Sequence, residues 1–164
     1  MIDEGENTNL PISTLGLADA GELLTLQRAA FVTEAVAHDS AQLAPFKETL
    51  PELREALASP RTVALGIRDG GRLIASVRVA MSDDGSAYLS RLVTAPDRVG
   101  EGHAARLLDA ADDVFPDAPR IVLYTADWSP YLIEFYERHG YRETARERHP
   151  DEPFTAVIME KPLR

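Results

Sequence analysis

The sequence contains no cysteine. Disulfide scaffolds, cysteine-ligated zinc and thiol nucleophiles are therefore outside its chemistry. It also lacks a Gly-x-Ser-x-Gly stretch, so nothing obvious is available to carry an acyl group as a covalent intermediate. Basic residues are a minority, 17 lysines and arginines against 27 aspartates and glutamates, with a net charge of −10. Binding to nucleic acid would need a dense basic stripe to neutralise phosphates, and none is found; the balance favours cationic or neutral small partners. Apolar runs are short. Residues 121–124 are typical and fall far below the roughly 20 residues of a bilayer span, so no membrane partner is expected. Residues 1–9 carry Asp3, Glu4 and Glu6 without a basic start or an apolar stretch. They read as a short disordered acidic lead-in rather than a secretory signal, and a cytoplasmic location is expected. His38, His103, His139 and His149 show no metal-ligand spacing, so no metal site is expected.

What remains is a chain of 164 residues, 45% apolar, which suits one domain over 10–164 with a real core. Residues 10–15 form a candidate strand. Asp19 and Glu22, at capping-box spacing, precede Leu23, Leu26 and Ala30 at helical period. After an irregular stretch around Pro45, a second helix carries Leu50, Leu53, Ala56 and Leu57 and stops at Ser59-Pro60. Strands at 62–68 and 72–80 flank Asp69-Gly70-Gly71, a tight hairpin turn, and a third strand spans 86–94. A glycine-containing loop then leads into a helix with Ala104, Leu107, Leu108, Ala111 and Val114 on one face. A strand at 120–125, a helix from Pro130 to Gly140 and strands at 141–148 and 154–161 complete the chain. The order β-α-α-β-β-β-α-β-α-β-β implies an α/β protein with a mixed sheet covered by helices.

Gly100-Glu101-Gly102-His103-Ala104-Ala105 lies between a strand and a helix. Small residues there let the main chain approach a ligand, and first-turn amides with the helix dipole offer positive potential to a phosphate. Taken alone, the six residues are equally an ordinary glycine-bearing loop. They also fit the dinucleotide fingerprint, with Asp127 placed as the ribose-binding acid. Three features oppose that reading. Residues 95–99 separate the strand from Gly100, three strands and two helices precede the unit, and only 37 residues follow Asp127, too few for further crossovers of about 30 residues each.

Leu92-Val93-Thr94-Ala95-Pro96, Val99-Gly100-Glu101-Gly102-His103-Ala104 and Leu107-Leu108 together resemble motif A of the GNAT N-acetyltransferase superfamily. Ile133-Glu134-Phe135-Tyr136-Glu137-Arg138-His139-Gly140-Tyr141-Arg142 resembles its motif B, in the right order. The resemblance covers nearly the whole chain from Leu10. It implies a mostly antiparallel GNAT-like sheet whose fourth and fifth strands splay apart, with acetyl-CoA as co-substrate and direct attack by a primary amine in a ternary complex. By the same resemblance, the main chain of Leu92, Val93 and Thr94 pairs with the pantetheine arm, the amides from Val99 through Gly100, Glu101, Gly102 and His103 to Ala104 cradle the pyrophosphate, and Tyr136 protonates the departing thiolate. Val99 stands where the motif usually has Gln or Arg, with Arg98 adjacent to supply charge. Ser129 stands where an Asn often bonds the pantetheine arm.

Aminolysis also needs a neutral amine, and alkylammonium groups titrate near 10.4. Glu34, near the end of the first helix, and Asp127, at the end of the fifth strand, are the candidate general bases. Arg78 and Arg91 on adjacent strands offer a clamp for an acceptor carboxylate, or pair with the abundant acids. Trp128 is a wall of the acceptor site or a cover for the core edge. The expected acceptor is a small-molecule amine. The alternative is a non-catalytic module that senses a CoA ligand or mediates an interaction on the same fold, for which Val99 is the one hint. The last strand, as a sheet edge, offers a surface for pairing in a homodimer.

Overall fold

The computed structural model describes residues 10–163; the acidic lead-in expected at 1–9 lies outside them. Strand β1 (Ile12–Leu15) leads through a 3₁₀ turn (Leu17–Asp19) into helix α1 (Ala20–Ala37), followed by α2 (Ala44–Lys47) and α3 (Leu50–Ala58). Three antiparallel strands, β2 (Thr62–Asp69), β3 (Arg72–Met81) and β4 (Ala87–Thr94), precede helix α4 (His103–Ala111). Strand β5 (Arg120–Ala126), helix α5 (Pro130–Arg138), β6 (Arg142–Arg148) and β7 (Thr155–Pro162) follow. The seven strands form one sheet in the order β1-β2-β3-β4-β5-β7-β6.

Local chemistry accounts for most of these boundaries. Gly70 and Gly71 both take positive φ, 57° and 84°, as a two-residue hairpin turn demands. Thr49 caps α3 by accepting from Glu52 N, while the Glu52 carboxylate accepts from Thr49 N, which satisfies two end donors at once. The box expected at Asp19 and Glu22 is not made. Asp19 instead accepts from Gly16 N and Arg68, and Glu22 accepts from Arg68 and from Leu73 N at 2.8 Å. An arginine and a strand-edge amide some fifty residues away draw both carboxylates off the helix end. The irregular stretch around Pro45 contains the one-turn helix α2, and α4 ends at Ala111, short of Val114.

Every neighbouring pair of strands is antiparallel except β4 and β5, whose parallel register holds for just Ala87 with Ile121 and Tyr88 with Val122. Beyond Tyr88 a cleft separates the two strands. On its other side β4 carries a bulge: Arg78 pairs with Ser90 and Ser76 with Val93, so β4 holds one residue more than β3. Arg91 in that bulge has φ of 54°, a conformation that costs a non-glycine residue about 1–2 kcal/mol.

The main core packs Leu107 and Leu108 of α4 against Ile74, Val77, Leu89, Ile121 and Met159, and a second cluster packs α1 and α3 on the opposite side of the β2–β4 region. A third, smaller cluster joins Leu43, Phe154 and Ala156 with Tyr124 and Trp128. Strand β7 is interior, between β5 and β6, so the sheet's two edges are β1 and β6 and not the last strand. All seven residues of β6 are exposed. No helix among the described residues is long and apolar enough to cross a membrane.

Candidate active site

The cleft between β4 and β5 opens into a cavity of about 490 Å³, within the range of small-molecule sites. Leu92 and Thr94 line it from β4, Leu123 and Thr125 from β5, Ala104 from α4, and Tyr136 from α5. Glu34 reaches it from α1, and Trp128 and Ser129 from the loop after β5. Val93 alternates to the other face and is buried in the second core cluster, as period-two geometry requires.

Helix α4 begins at the glycine-bearing loop. Gly100 and Gly102 have φ of 88° and 85°, and a Cβ on either would meet nothing within 4 Å. Backbone conformation rather than crowding therefore calls for glycine here. The first helical bond is donated by Arg106 N to the Gly102 carbonyl, so the amides of the first turn point out of the helix end, as an anion site needs. Val99 is 70% exposed. The Arg98 guanidinium is held by the Glu101 carboxylate, 2.7 Å from its Nε, and by Asp69 at 2.9 Å. His103 is buried, with Nε2 2.8 Å from the same Glu101 carboxylate. The side chains of 98, 101 and 103 thus bind one another and leave the main chain to face a ligand.

Tyr136 is buried, and desolvation pushes its phenol up to about 12. It is fully protonated at neutral pH and can give a proton to a developing anion. The Ser129 hydroxyl donates to Glu34 Oε2 at 2.9 Å, and His38 Nε2 lies 3.6 Å from the same oxygen. The His38 ring lies flat on the Trp128 indole, 4.1 Å between centroids and 4° between planes. Trp128 is therefore both a cavity wall and the support of the histidine beside Glu34. Asp127 lies off the cavity; it is exposed, and its Oδ1 accepts from Thr155 N at 3.2 Å.

The two arginines on β3 and β4 converge on an acid that sequence reasoning missed. Glu48 accepts from both terminal nitrogens of Arg78 at 2.9 Å and from Gln27 Nε2 at 3.0 Å, and Arg91 Nε lies 3.6 Å away. Burial pushes the Glu48 carboxyl up, but the hydrogen bonds from Arg78 and Gln27 and the charges of Arg78 and Arg91 outweigh it and hold the group at about 2. This network clamps the β4 bulge against α1. Sequence reasoning also missed Glu152 and Phe154, which enter the cavity from the segment before β7. Single positions on turns carry no periodic signal that would have found either.

The description "Acetyltransferase (GNAT) domain" belongs to the family model that matches residues 30–163. The chain belongs to this family. Its domain is an acetyltransferase domain. No curated protein matches the sequence. Among solved structures, the fold is similar to the PaiA N-acetyltransferase of Thermoplasma acidophilum in complex with coenzyme A: 18% identity, TM-score 0.79, covering 94% of this chain and 99% of that one. It is also similar to the ribosomal-protein-S18-alanine N-acetyltransferase of Escherichia coli, at 19% identity, TM-score 0.74 and 93% of each chain. A spermidine N-acetyltransferase SpeG chimera from Vibrio cholerae and hSSAT shares 19% identity with TM-score 0.70, covering 94% of this chain and 95% of that one.

Proposed function

We propose that the protein transfers the acetyl group of acetyl-CoA to the primary amine of a small molecule by direct attack in a ternary complex. The observation that carries this reading is that one cavity in the β4–β5 cleft is lined both by a buried, protonated phenol and by a carboxylate that, among the described residues, is in ion-pair contact with no lysine or arginine. Bound there, acetyl-CoA supplies the thioester carbonyl to be attacked and the thiolate to be released. The outer edge of β4 beyond Tyr88 is left unpaired by β5, so the main chain at Leu92 and Thr94 suits the amide-bearing pantetheine arm. The first-turn amides of α4 suit its pyrophosphate. Because the Val99 side chain points to solvent, its departure from the motif leaves that main-chain cradle intact.

Glu34 takes the ammonium proton and leaves the acceptor amine nucleophilic; Tyr136 gives its proton to the leaving sulfur, and the proton that the nitrogen sheds on becoming an amide restores the phenol. Ser129 orients Glu34 by donating to it and keeps a lone pair for the pantetheine arm. Asp127, which does not line the cavity and whose carboxylate accepts from Thr155 N, is given no part in this chemistry.

Two measurements test the proposal. Acetyl-CoA and CoA, but not NADH, should raise the melting temperature, because a ligand binding only the native state stabilises it. A thiol-release assay over an amine panel should then show turnover, which Glu34→Gln lowers about 100-fold at neutral pH. Stabilisation without turnover of any amine would support the non-catalytic module instead.

A further inference from the structure

The chain has eleven aromatic side chains, and eight of them line this one cavity. Four form a continuous wall on the side away from α4. Trp128 meets Phe154 edge-on at 5.3 Å, Phe154 meets Tyr124 at 6.4 Å, and Tyr124 meets Tyr88 at 6.4 Å with 26° between planes. Trp128, Phe154 and Tyr124 belong to the third cluster, apart from the two main cores.

Charge is distributed unequally along this wall. At the Trp128 end stands Glu34, whose described partners are the Ser129 hydroxyl and the His38 ring. A single ammonium group suits it. At the tyrosine end, Arg91 faces Glu48, and Glu48 is in turn shared with Arg78. Glu152 also stands at this end, within the electrostatic reach of Arg91 and Lys47, and both tyrosines feel its charge. Its Oε2 is buried without a hydrogen-bond partner. A second ammonium there would meet Arg91 and Lys47, whereas a neutral hydroxyl could satisfy the orphaned oxygen. Nor does the cavity offer the row of carboxylates a polyamine or an aminoglycoside would use; of the two arginines that line it, Arg91 is paired with Glu48, and Arg138 stands exposed at the far end of α5.

Building on the acetyltransferase reading above, we infer that the acceptor is an arylalkylamine whose ring carries a hydrogen-bond donor. Its ammonium sits at Glu34, its ring lies along the Trp128–Phe154–Tyr124 wall, and its ring hydroxyl reaches Glu152. The apolar wall supplies area and ring-on-ring contact, and the two carboxylates set direction and length.

The experiment is a thiol-release assay with acetyl-CoA on the full chain, using tyramine, phenethylamine, 1,4-diaminobutane, spermidine, kanamycin and an alanine-initiated peptide. CoA stabilisation is measured in parallel. Tyramine is expected to lead in kcat/KM, about 10-fold above phenethylamine and further above the others. Glu152→Leu should erase the gap between tyramine and phenethylamine, and Trp128→Leu should raise the KM for tyramine, with CoA affinity unchanged in both. A panel led by a diamine, spermidine, kanamycin or the peptide overturns the inference while leaving acetyl transfer standing. So does equal use of the two aryl amines in the unaltered protein, or CoA stabilisation with no turnover of tyramine. Absence of both CoA stabilisation and thiol release would overturn the acetyltransferase reading itself, and this inference with it.

Discussion

The two ends of the cavity are built by different means. At the α4 end the working groups are main-chain amides fixed by two positive-φ glycines, and the side chains of Arg98, Glu101 and His103 are occupied with one another. At the α1 end the working groups are side chains, Glu34, Trp128, Glu152 and Phe154, brought together from segments as far apart as 95 residues for the Glu34–Ser129 bond. The contrast teaches where each specificity resides. A site made of backbone recognises a constant ligand and tolerates replacement of its side chains, as Val99 illustrates; a site made of side chains can be rewritten one residue at a time.

The sharpest way to break this comparison is Tyr136→Phe, which stands between the two ends. We expect kcat to fall by about 100-fold or more, with the CoA dissociation constant by calorimetry changed less than twofold. A matched fall in both would mean the phenol belongs to the cofactor end alone. Next in size is Glu48→Gln. It leaves Arg78 and Arg91 short of their counter-charge in a half-buried site, which should destabilise the fold by about 3 kcal/mol in urea at pH 7. The sign of its pH dependence follows from the direction of the shift. Because the folded carboxyl is held at about 2, below its unfolded value, the stabilisation is complete above about pH 5 and is lost as pH falls towards 2. The gap between wild type and Glu48→Gln should therefore close over that window.

Gly102→Ala probes the backbone end alone. At φ of 85° the added Cβ costs about 1–2 kcal/mol, enough to displace the helix start and weaken CoA binding about tenfold while the acceptor KM stays constant. The smallest effect is expected from Asp127→Asn. Its carboxylate receives Thr155 N outside the cavity, so turnover in the thiol-release assay should stay within about twofold of wild type, in contrast to Glu34→Gln.

The same contrast decides what could be read from the sequence. The glycine loop and its helix were legible because backbone sites announce themselves through residues that only special φ values demand, and the hairpin at Gly70-Gly71 was legible for the same reason. The bulge at Arg91 was hidden, because an arginine does not advertise a positive φ. Asp19 and Glu22 had the spacing of a capping box, yet Arg68 and Leu73 captured them from across the fold, and local spacing cannot register such long-range competitors. The aromatic wall was beyond reach for a further reason. Tyr88 and Tyr124 each look like ordinary strand residues, and only the insertion of β7 between β5 and β6 brings Phe154 beside them. That insertion also moved this edge of the sheet from the last strand to β6.

The brevity of the β4–β5 ladder has a mechanical meaning. With two residue pairs in register, the sheet is two stiff plates, β1 to β4 and β5 to β7, meeting at one corner. Over the rest of their length they are joined by the apolar packing beneath, Leu107 and Leu108 against Leu89 and Ile121, and by side-chain bonds such as Ser129 to Glu34 and Arg120 to Ser86, rather than by a hydrogen-bond ladder. The two plates are in hydrogen-bonded register at Ala87 and Tyr88 and part towards Thr94. A guest chain that hydrogen-bonds along the open edge of β4 therefore lies between the plate that carries Trp128, Phe154 and Tyr124 and the strand that leads to the N-terminus of α4.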